Sequence, residues 1–116
     1  MLSELQEKWL QALESGEYKQ GFRKLRNSNG EFCCLGVACE VAGLKSEGDS
    51  YYYGSDFNDT ILPGNFYKEL GLKSEGGQLG ESSEYLFTLN DERRMSFAEI
   101  AAFVRNNTEL VFEEVK

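Results

Sequence analysis

The sequence contains no histidine among its 116 residues. Histidine is the usual general base near neutral pH and the commonest metal ligand in proteins. Its absence lowers the expectation of an enzyme, and no spacing of other residues matches a cofactor-binding motif. We expect a protein that is not an enzyme and that requires no cofactor.

Long apolar runs are also missing. None approaches the roughly 20 residues that a membrane span needs, and the first residues lack the basic and apolar regions of a secretory signal. The apolar fraction, 41%, is normal for a globular chain of 116 residues. We expect a single domain over residues 1–116, located in the cytoplasm and without a membrane partner.

Cysteine is scarce, with three residues at Cys33, Cys34 and Cys39. An odd number at such close spacing does not suit a disulfide framework. A thiol at a helix start could act as a nucleophile, and the three could contribute to a zinc site, although adjacent cysteines converge poorly on one ion. We favour reduced, buried thiols that pack as small apolar side chains, and we predict no metal site.

Negative charge dominates, and the formal net charge is −8. An acidic protein repels phosphate backbones, so nucleic acid is not an expected partner. The charge is uneven, because the stretch from Tyr18 to Gly30 holds four cations and no carboxylate, giving it +4 against −12 for the rest. This stretch is either a solvated surface with ion pairs or a local site for an anion.

Four segments have helical signals, namely apolar residues three and four apart with capping residues at their ends. Two begin with capping-box pairs, Ser3 with Gln6 and Ser96 with Glu99. Pro63 fits the first helical position of another. The sequence Gly-Leu-Lys-Ser-Glu-Gly occurs at 43–48 and at 71–76, which predicts the same type of helix end twice. The predicted helices cover residues 4–14, 34–42, 63–70 and 97–104.

Strand signals are weaker. Residues 21–33 predict a β-hairpin around an asparagine- and glycine-rich turn, and residues 85–89 have strand-like composition. Residues 45–61 and 73–84 are predicted as loops, the first with the alternative of a short edge strand. Residues 109–115 fit a closing strand or a short helix. The predicted class is a small α+β domain of three to four helices packed with a β-hairpin and one or two further short strands.

The basic segment also holds groups that suit an anion. A tyrosine ring, an ammonium, an amide and two guanidinium groups favour capture of a phosphate or carboxylate with stacking. In a strand, Arg23 and Arg26 face opposite sides, so both can line one pocket only across a bulge. The predicted ligand-binding residues are Tyr18, Lys19, Gln20, Arg23 and Arg26, together with Asn90 and Asp91 of a later polar turn.

Both ends of the chain carry motifs of a known family. These are W-x-x-A-L-x-S-G-x-Y-x-Q-G from residue 9, C-C-L-G-V-x-C from residue 33, L-N-D from residue 89 and S-F-x-E-I-A from residue 96. The combination resembles small proteins encoded by tailed bacteriophages and prophages, for which no activity is established. The resemblance leaves residues 45–84 unmatched. It implies a phage accessory protein in a bacterial cytoplasm and transfers no catalytic residue.

The leading hypothesis is a non-enzymatic phage accessory protein that inhibits a host or host-defence process. It would do so by binding and sequestering a small anionic, nucleotide-like ligand, an analogy with other small phage proteins. The alternative is a protein-binding inhibitor that uses its acidic surface and the tyrosines at 51–53 against a basic host protein. A small enzyme is the third hypothesis. Homo-oligomerisation is left open.

Overall fold

The α+β class predicted from the sequence is confirmed. The computed structural model describes residues 2–113. Within them the chain forms six helices, two more than the largest number predicted, and three short strands. In chain order these are α1 (Glu4–Ser15), α2 (Cys34–Val41), β1 (Ser46–Glu47), β2 (Ser50–Tyr53), β3 (Asp56–Asn58), α3 (Phe66–Leu70), α4 (Leu86–Asp91), α5 (Phe97–Asn106) and α6 (Thr108–Val111). No helix in this part of the chain is both long and apolar enough to cross a membrane.

Helix α2 forms the centre of the core. Its residues 34–39 are all buried, and several have small side chains that allow close approach. Helix α1 packs against α2 and buries Trp9, whose indole N–H donates to the carbonyl oxygen of Cys34 at 2.9 Å. The hydrogen bond satisfies the polar group of a fully buried aromatic ring and fixes α1 on α2.

The segment after α6 closes the core. Phe112 forms an isolated bridge with Leu72 and meets Trp9 edge-on, with ring centroids 6.3 Å apart and planes at 78°. Residues 109–113 therefore contain the end of a short helix and one bridge residue. The segment has features of both predicted alternatives, the short helix and the closing strand. The predicted tail residues 114 and 115 lie outside the described residues.

The two copies of Gly-Leu-Lys-Ser-Glu-Gly end helices in the same way, as predicted. Gly43 and Gly71 have φ of 74° and 85°, in the left-handed region that glycine adopts without steric cost. In each copy the glycine N–H donates to the carbonyl three residues earlier and the leucine N–H to the carbonyl five residues earlier, at 2.8 to 3.1 Å. The copies then diverge, because 46–47 form β1 whereas Leu72 bridges Phe112.

The β-hairpin predicted over 21–33 is wrong. Its turn exists, since the Gly30 N–H donates to the Asn27 carbonyl at 3.0 Å, but only isolated bridges to Phe32 stand in place of the strands. Arg23 has a φ of 69°, which takes the chain out of the extended conformation that a strand requires. The segment therefore follows a bent path, and its two halves pair at isolated bridges instead of as two strands.

The sheet lies instead within residues 45–61, so the loop prediction for that range is wrong for most of it. Strands β1, β2 and β3 pair antiparallel in that order, with Tyr52 opposite Phe57. Two-residue turns that begin at Gly48 (φ 60°) and Gly54 (φ 64°) join the strands. The dipeptides Gly-Asp and Gly-Ser are the sequence signal for such hairpins.

Residues 85–89, predicted as a strand, contribute to α4. Leu86, Leu89 and Asn90 are buried at helical spacing, and the Tyr85 N–H at the start of the helix donates to the hydroxyl of Thr88 at 3.2 Å. Apolar and aromatic composition favours a strand only where a pleated surface is available to pack against. The burial pattern of this segment suits a helix instead.

The helix predicted at 63–70 is shorter in the structure, and a connection without regular secondary structure follows it. Helix α3 begins at Phe66 rather than at Pro63, because the Phe66 N–H first closes a turn on the Pro63 carbonyl at 3.1 Å. Residues 73–84 consist of turns, bends and bridge residues, one of which pairs Gln78 with Tyr85. Residues 73–84 therefore contain no helix.

Candidate functional site

Asn90 joins the basic segment to the core. Its side chain is fully buried at the end of α4. Its oxygen accepts from the Gln20 amide at 2.9 Å and the Cys34 N–H at 3.2 Å, and its NH₂ donates to the Gly21 carbonyl at 2.9 Å and Asp91 Oδ1 at 2.8 Å. Four such bonds use the full capacity of a carboxamide. Asn90, predicted from the sequence as a ligand-binding residue, therefore has its side-chain hydrogen-bonding groups committed to the fold.

Gln20 is committed to the fold in a similar way. Its side-chain NH₂ donates to Asn90 and to the Met95 carbonyl, the latter at 2.8 Å. Both amide donors are used, so Gln20 has none left for an anion. The structure thus brings the 18–26 segment and the Asn90–Asp91 turn together, with the two amides as the connection between them.

Two arginines flank this connection. The Arg23 N–H donates to Asp91 Oδ1 at 2.8 Å, and the Arg94 guanidinium lies over the Phe22 ring at 4.4 Å from its centroid. Both arginines are exposed, and among the described residues they are the non-glycine residues with positive φ, 69° and 52°. Within that part of the chain neither guanidinium forms an ion pair. We name Arg23 and Arg94 the arginine pair.

Lys19 and Tyr18 differ in what they can offer. The Lys19 ammonium is 4.0 Å from the Glu31 carboxylate, and its side chain is 75% exposed, so the ion pair is weak and the charge remains accessible. The Tyr18 ring is partly buried and meets Phe32 edge-on, with centroids 5.6 Å apart and planes at 85°. Tyr18 therefore supports the segment, whereas Lys19 can face a ligand.

Arg26 faces the sheet instead of the arginine pair. Its guanidinium donates to the Ser46 hydroxyl at 3.3 Å, close to the Tyr51 hydroxyl, which donates to a Glu40 carboxylate oxygen at 2.6 Å. Burial and this hydrogen bond raise the pKa of Tyr51, and the charge of Arg26 opposes the shift. The structure does not bring Arg26 together with Arg23.

The cysteines are free and buried, as predicted. Cys33 caps α2, because its Sγ accepts from the Gly36 N–H at 3.4 Å. Burial raises the pKa of Cys33 to about 12 and also raises the pKa of Cys34 and Cys39. Such thiols stay neutral near pH 7, and a neutral thiol is a poor nucleophile. In the described part of the chain, no three His, Cys, Asp or Glu side chains are grouped to hold a metal ion.

Sequence reasoning misses Phe22 and Arg94. The available signal for Arg94 is the Arg93–Arg94 pair in a polar connector, where Arg93 Nε donates to Glu84 at 2.6 Å. The signal for Phe22 is its position beside Arg23 in the basic segment. Neither signal predicts that the Arg94 guanidinium lies over the Phe22 ring, because the two residues are far apart in the sequence.

A protein-family model matches residues 1–108. The chain belongs to the DUF8296 family. This family is described as a domain of unknown function, so membership assigns no activity. The matched range includes helices α1 to α5, both residues of the arginine pair and the residues around them. No curated protein and no solved structure matches the chain.

Proposed function

We propose that this DUF8296 protein is a phage accessory protein that binds a small anionic, nucleotide-like ligand at the arginine pair. Binding sequesters the ligand and so inhibits a host or host-defence process, without catalysis. The phage setting is inferred from the resemblance of its sequence motifs. The ligand class is inferred from the chemistry of the site.

The observation that supports the proposal is the backbone conformation of the arginine pair. Arg23 and Arg94 have φ of 69° and 52°. For a residue with a β-carbon, the left-handed conformation costs about 1–2 kcal/mol, which glycine avoids. Strained residues persist where surrounding contacts impose them, and they cluster at binding sites. We infer that the contacts around Asn90 hold the two arginines in this conformation for a ligand.

The side chains suit a ligand that carries phosphate. A guanidinium can present two parallel N–H donors to a phosphate or carboxylate. The Arg94 guanidinium is stacked on the Phe22 ring, and the basic segment also carries the exposed ammonium of Lys19. Asp91 opposes an anion, but its Oδ1 accepts from the Arg23 N–H and from a second N–H donor, both at 2.8 Å. These donors reduce the repulsion.

Glycine substitutions separate ligand binding from stability. Arg23→Gly and Arg94→Gly each remove one guanidinium and also relieve the backbone strain, so we expect the Tm to be kept or raised. Binding is measured by isothermal titration calorimetry with inorganic phosphate, ADP and a cyclic dinucleotide. A hydrogen bond to a charged group is worth about 1.5–3 kcal/mol, so each variant should bind at least tenfold more weakly.

Lys8→Gln provides the matched control. It removes one exposed cation from α1, where Lys8 pairs with Glu4 at 3.6 Å, and it keeps a good helix former. The control should bind the probes as the wild type does. Wild-type protein that binds none of the three probes, or glycine variants that bind as tightly as Lys8→Gln, would overturn the proposal.

A further inference from the structure

The outer face of the sheet presents an exposed aromatic pair. Tyr52 of β2 lies opposite Phe57 of β3, and their ring centroids are 5.3 Å apart. Phe57 is 62% exposed, whereas the adjacent Tyr51 is fully buried, as side-chain alternation in a strand requires. Tyr51, one of the three tyrosines assigned to the protein-binding alternative, is therefore not available to a partner. The aromatic surface on the outer face consists of the partly buried Tyr52 and the exposed Phe57.

The sheet segment that carries this pair is acidic. Residues 45–59 include four acidic residues and one cation, Lys45, so their net charge is −3. Glu47 pairs with Ser50 and therefore shares the face of Tyr52, whereas Asp56 pairs with Tyr53 on the other face, and Asp49 is engaged by the Lys24 ammonium at 2.6 Å. The exposed carboxylate on the same face as the aromatic rings is therefore Glu47.

A hollow of about 410 Å³ adjoins the aromatic pair. Tyr52, Tyr53 and Glu47 line it together with residues 43, 44 and 54, and Lys45 is the one basic residue in the lining. The volume falls within the range of about 300–1,000 Å³ that is common for small-molecule sites. An aromatic ring and a carboxylate in one hollow provide the two groups that recognise an extended cationic side chain.

We propose that this aromatic face, formed by Glu47, Tyr52 and Phe57, docks an arginine-containing basic segment of a partner protein. A guanidinium stacks on the exposed rings, where a cation–π contact adds to apolar burial, and it pairs with Glu47. Complementary charge speeds association and disfavours acidic partners. The aromatic face is independent of the arginine pair and does not require a small anionic ligand.

Synthetic peptides test the proposal. The probes are an octapeptide of alternating glycine and arginine, the same peptide with lysine, and the same peptide with glutamate. In two-dimensional NMR spectra the arginine peptide should shift the amide signals of residues 46–58. It should bind at least threefold more tightly than the lysine peptide. The glutamate peptide should not bind. The first difference follows from the stronger stacking of a guanidinium on an aromatic ring.

Variants locate the contact. Phe57→Ala should weaken binding of the arginine peptide at least threefold, and Glu47→Gln should weaken it and reduce its salt dependence. Leu110→Ala is the control, because Leu110 is the other large exposed apolar residue in the described part of the chain, 39% exposed on α6. It should bind as the wild type does, and so should Arg23→Gly, which separates this face from the anion site.

Several outcomes would overturn the proposal. The first is that the lysine and arginine peptides bind equally tightly and that Phe57→Ala does not weaken them. The second is that the peptides shift only signals of other elements. The third is that the wild type binds no peptide. Phe57-dependent binding of duplex DNA or of anionic lipid vesicles would also contradict it, because the face would then recognise a different class of partner.

Discussion

Gly36 of α2 lies directly against the backbone carbonyl of Leu25. A β-carbon at position 36 would lie 2.6 Å from the Leu25 carbonyl carbon and closer still to its oxygen. Glycine is otherwise unfavourable inside a helix, so the close approach explains its presence. The contact fixes how the central helix and the segment that carries Arg23 fit together.

Gly36→Ala should be strongly destabilising. Alanine improves helix propensity by about 1 kcal/mol, but overpacking against a rigid backbone costs about 1–3 kcal/mol or more. Because the added β-carbon would overlap the Leu25 carbonyl, the cost should lie at or above the upper end of that range, and we expect urea unfolding to show a net loss of about 2 kcal/mol or more. Gly16→Ala is the control, since Gly16 has a φ of 78° but nothing lies within 4 Å of an added β-carbon. Its loss should be about 1 kcal/mol, and an equal loss at both positions would contradict the close approach.

Asn90→Ala should cost at least about 3 kcal/mol. The substitution leaves the Cys34 N–H and the Gly21 carbonyl without their partner, and each unsatisfied buried group costs about 1–3 kcal/mol. Asn29→Ala, in an exposed turn, should change the free energy of unfolding by no more than about 0.5 kcal/mol. An Asn90→Ala protein that keeps its stability but loses binding of ADP would show that Asn90 contacts the ligand after all.

The cysteines should make stability fall at alkaline pH. Burial raises the pKa of Cys33 from 9.0 to about 12, so the folded state holds the thiol proton more tightly than the unfolded chain does. The stabilisation is complete below about pH 9 and is lost as the pH rises towards the folded value. Urea unfolding between pH 7 and pH 10.5 should show the decrease, with a shallower slope for Cys33→Ala.

Thiol chemistry gives an independent check of the same burial. At pH 8 a thiol-specific reagent should label the native protein far more slowly than the urea-unfolded protein, because all three thiols are buried and neutral. Rapid and stoichiometric labelling of the native state would contradict the structure of this region.

Ser96→Ala should cost about 1 kcal/mol, the usual loss for a helix cap. The Glu99 N–H donates to the Ser96 hydroxyl at 3.1 Å, and the Ser96 N–H donates to the Glu99 carboxylate at 2.8 Å, which is the capping box predicted from the sequence. Ser3→Ala removes the equivalent cap of α1 and should cost a similar amount, whereas Ser28→Ala in an exposed turn should be neutral. Unchanged stability in Ser96→Ala would place the start of the helix elsewhere.

Helix boundaries are predictable here because the interactions that set them are local. Ser96 recognises a residue three positions later, and Gly71 ends its helix with bonds that reach back at most five residues. The hairpins of the sheet also carry local signals at Gly48 and Gly54. These glycine turns are stronger evidence for the sheet than the polar composition around them is for a loop.

The candidate site is less predictable because it depends on contacts between distant residues. Gln20 and Asn90 are 70 positions apart, and no spacing rule connects them. The composition does not predict the positive φ of Arg23, because arginine rarely adopts this conformation. At Arg23 the chain bends where the sequence predicts a strand. The predicted list therefore contains residues that hold the site together and omits Arg94, which helps to form it.

The packing of Trp9 against Phe112 has a consequence for the order of folding during synthesis. Helix α1 is made before the other helices described here, whereas Phe112, whose ring covers the edge of Trp9, is made after all of them. Until Phe112 has been made, part of the apolar surface of α1 lacks its cover. We therefore expect chains that stop short of Phe112 to be recognised by chaperones and proteases more readily than the full chain.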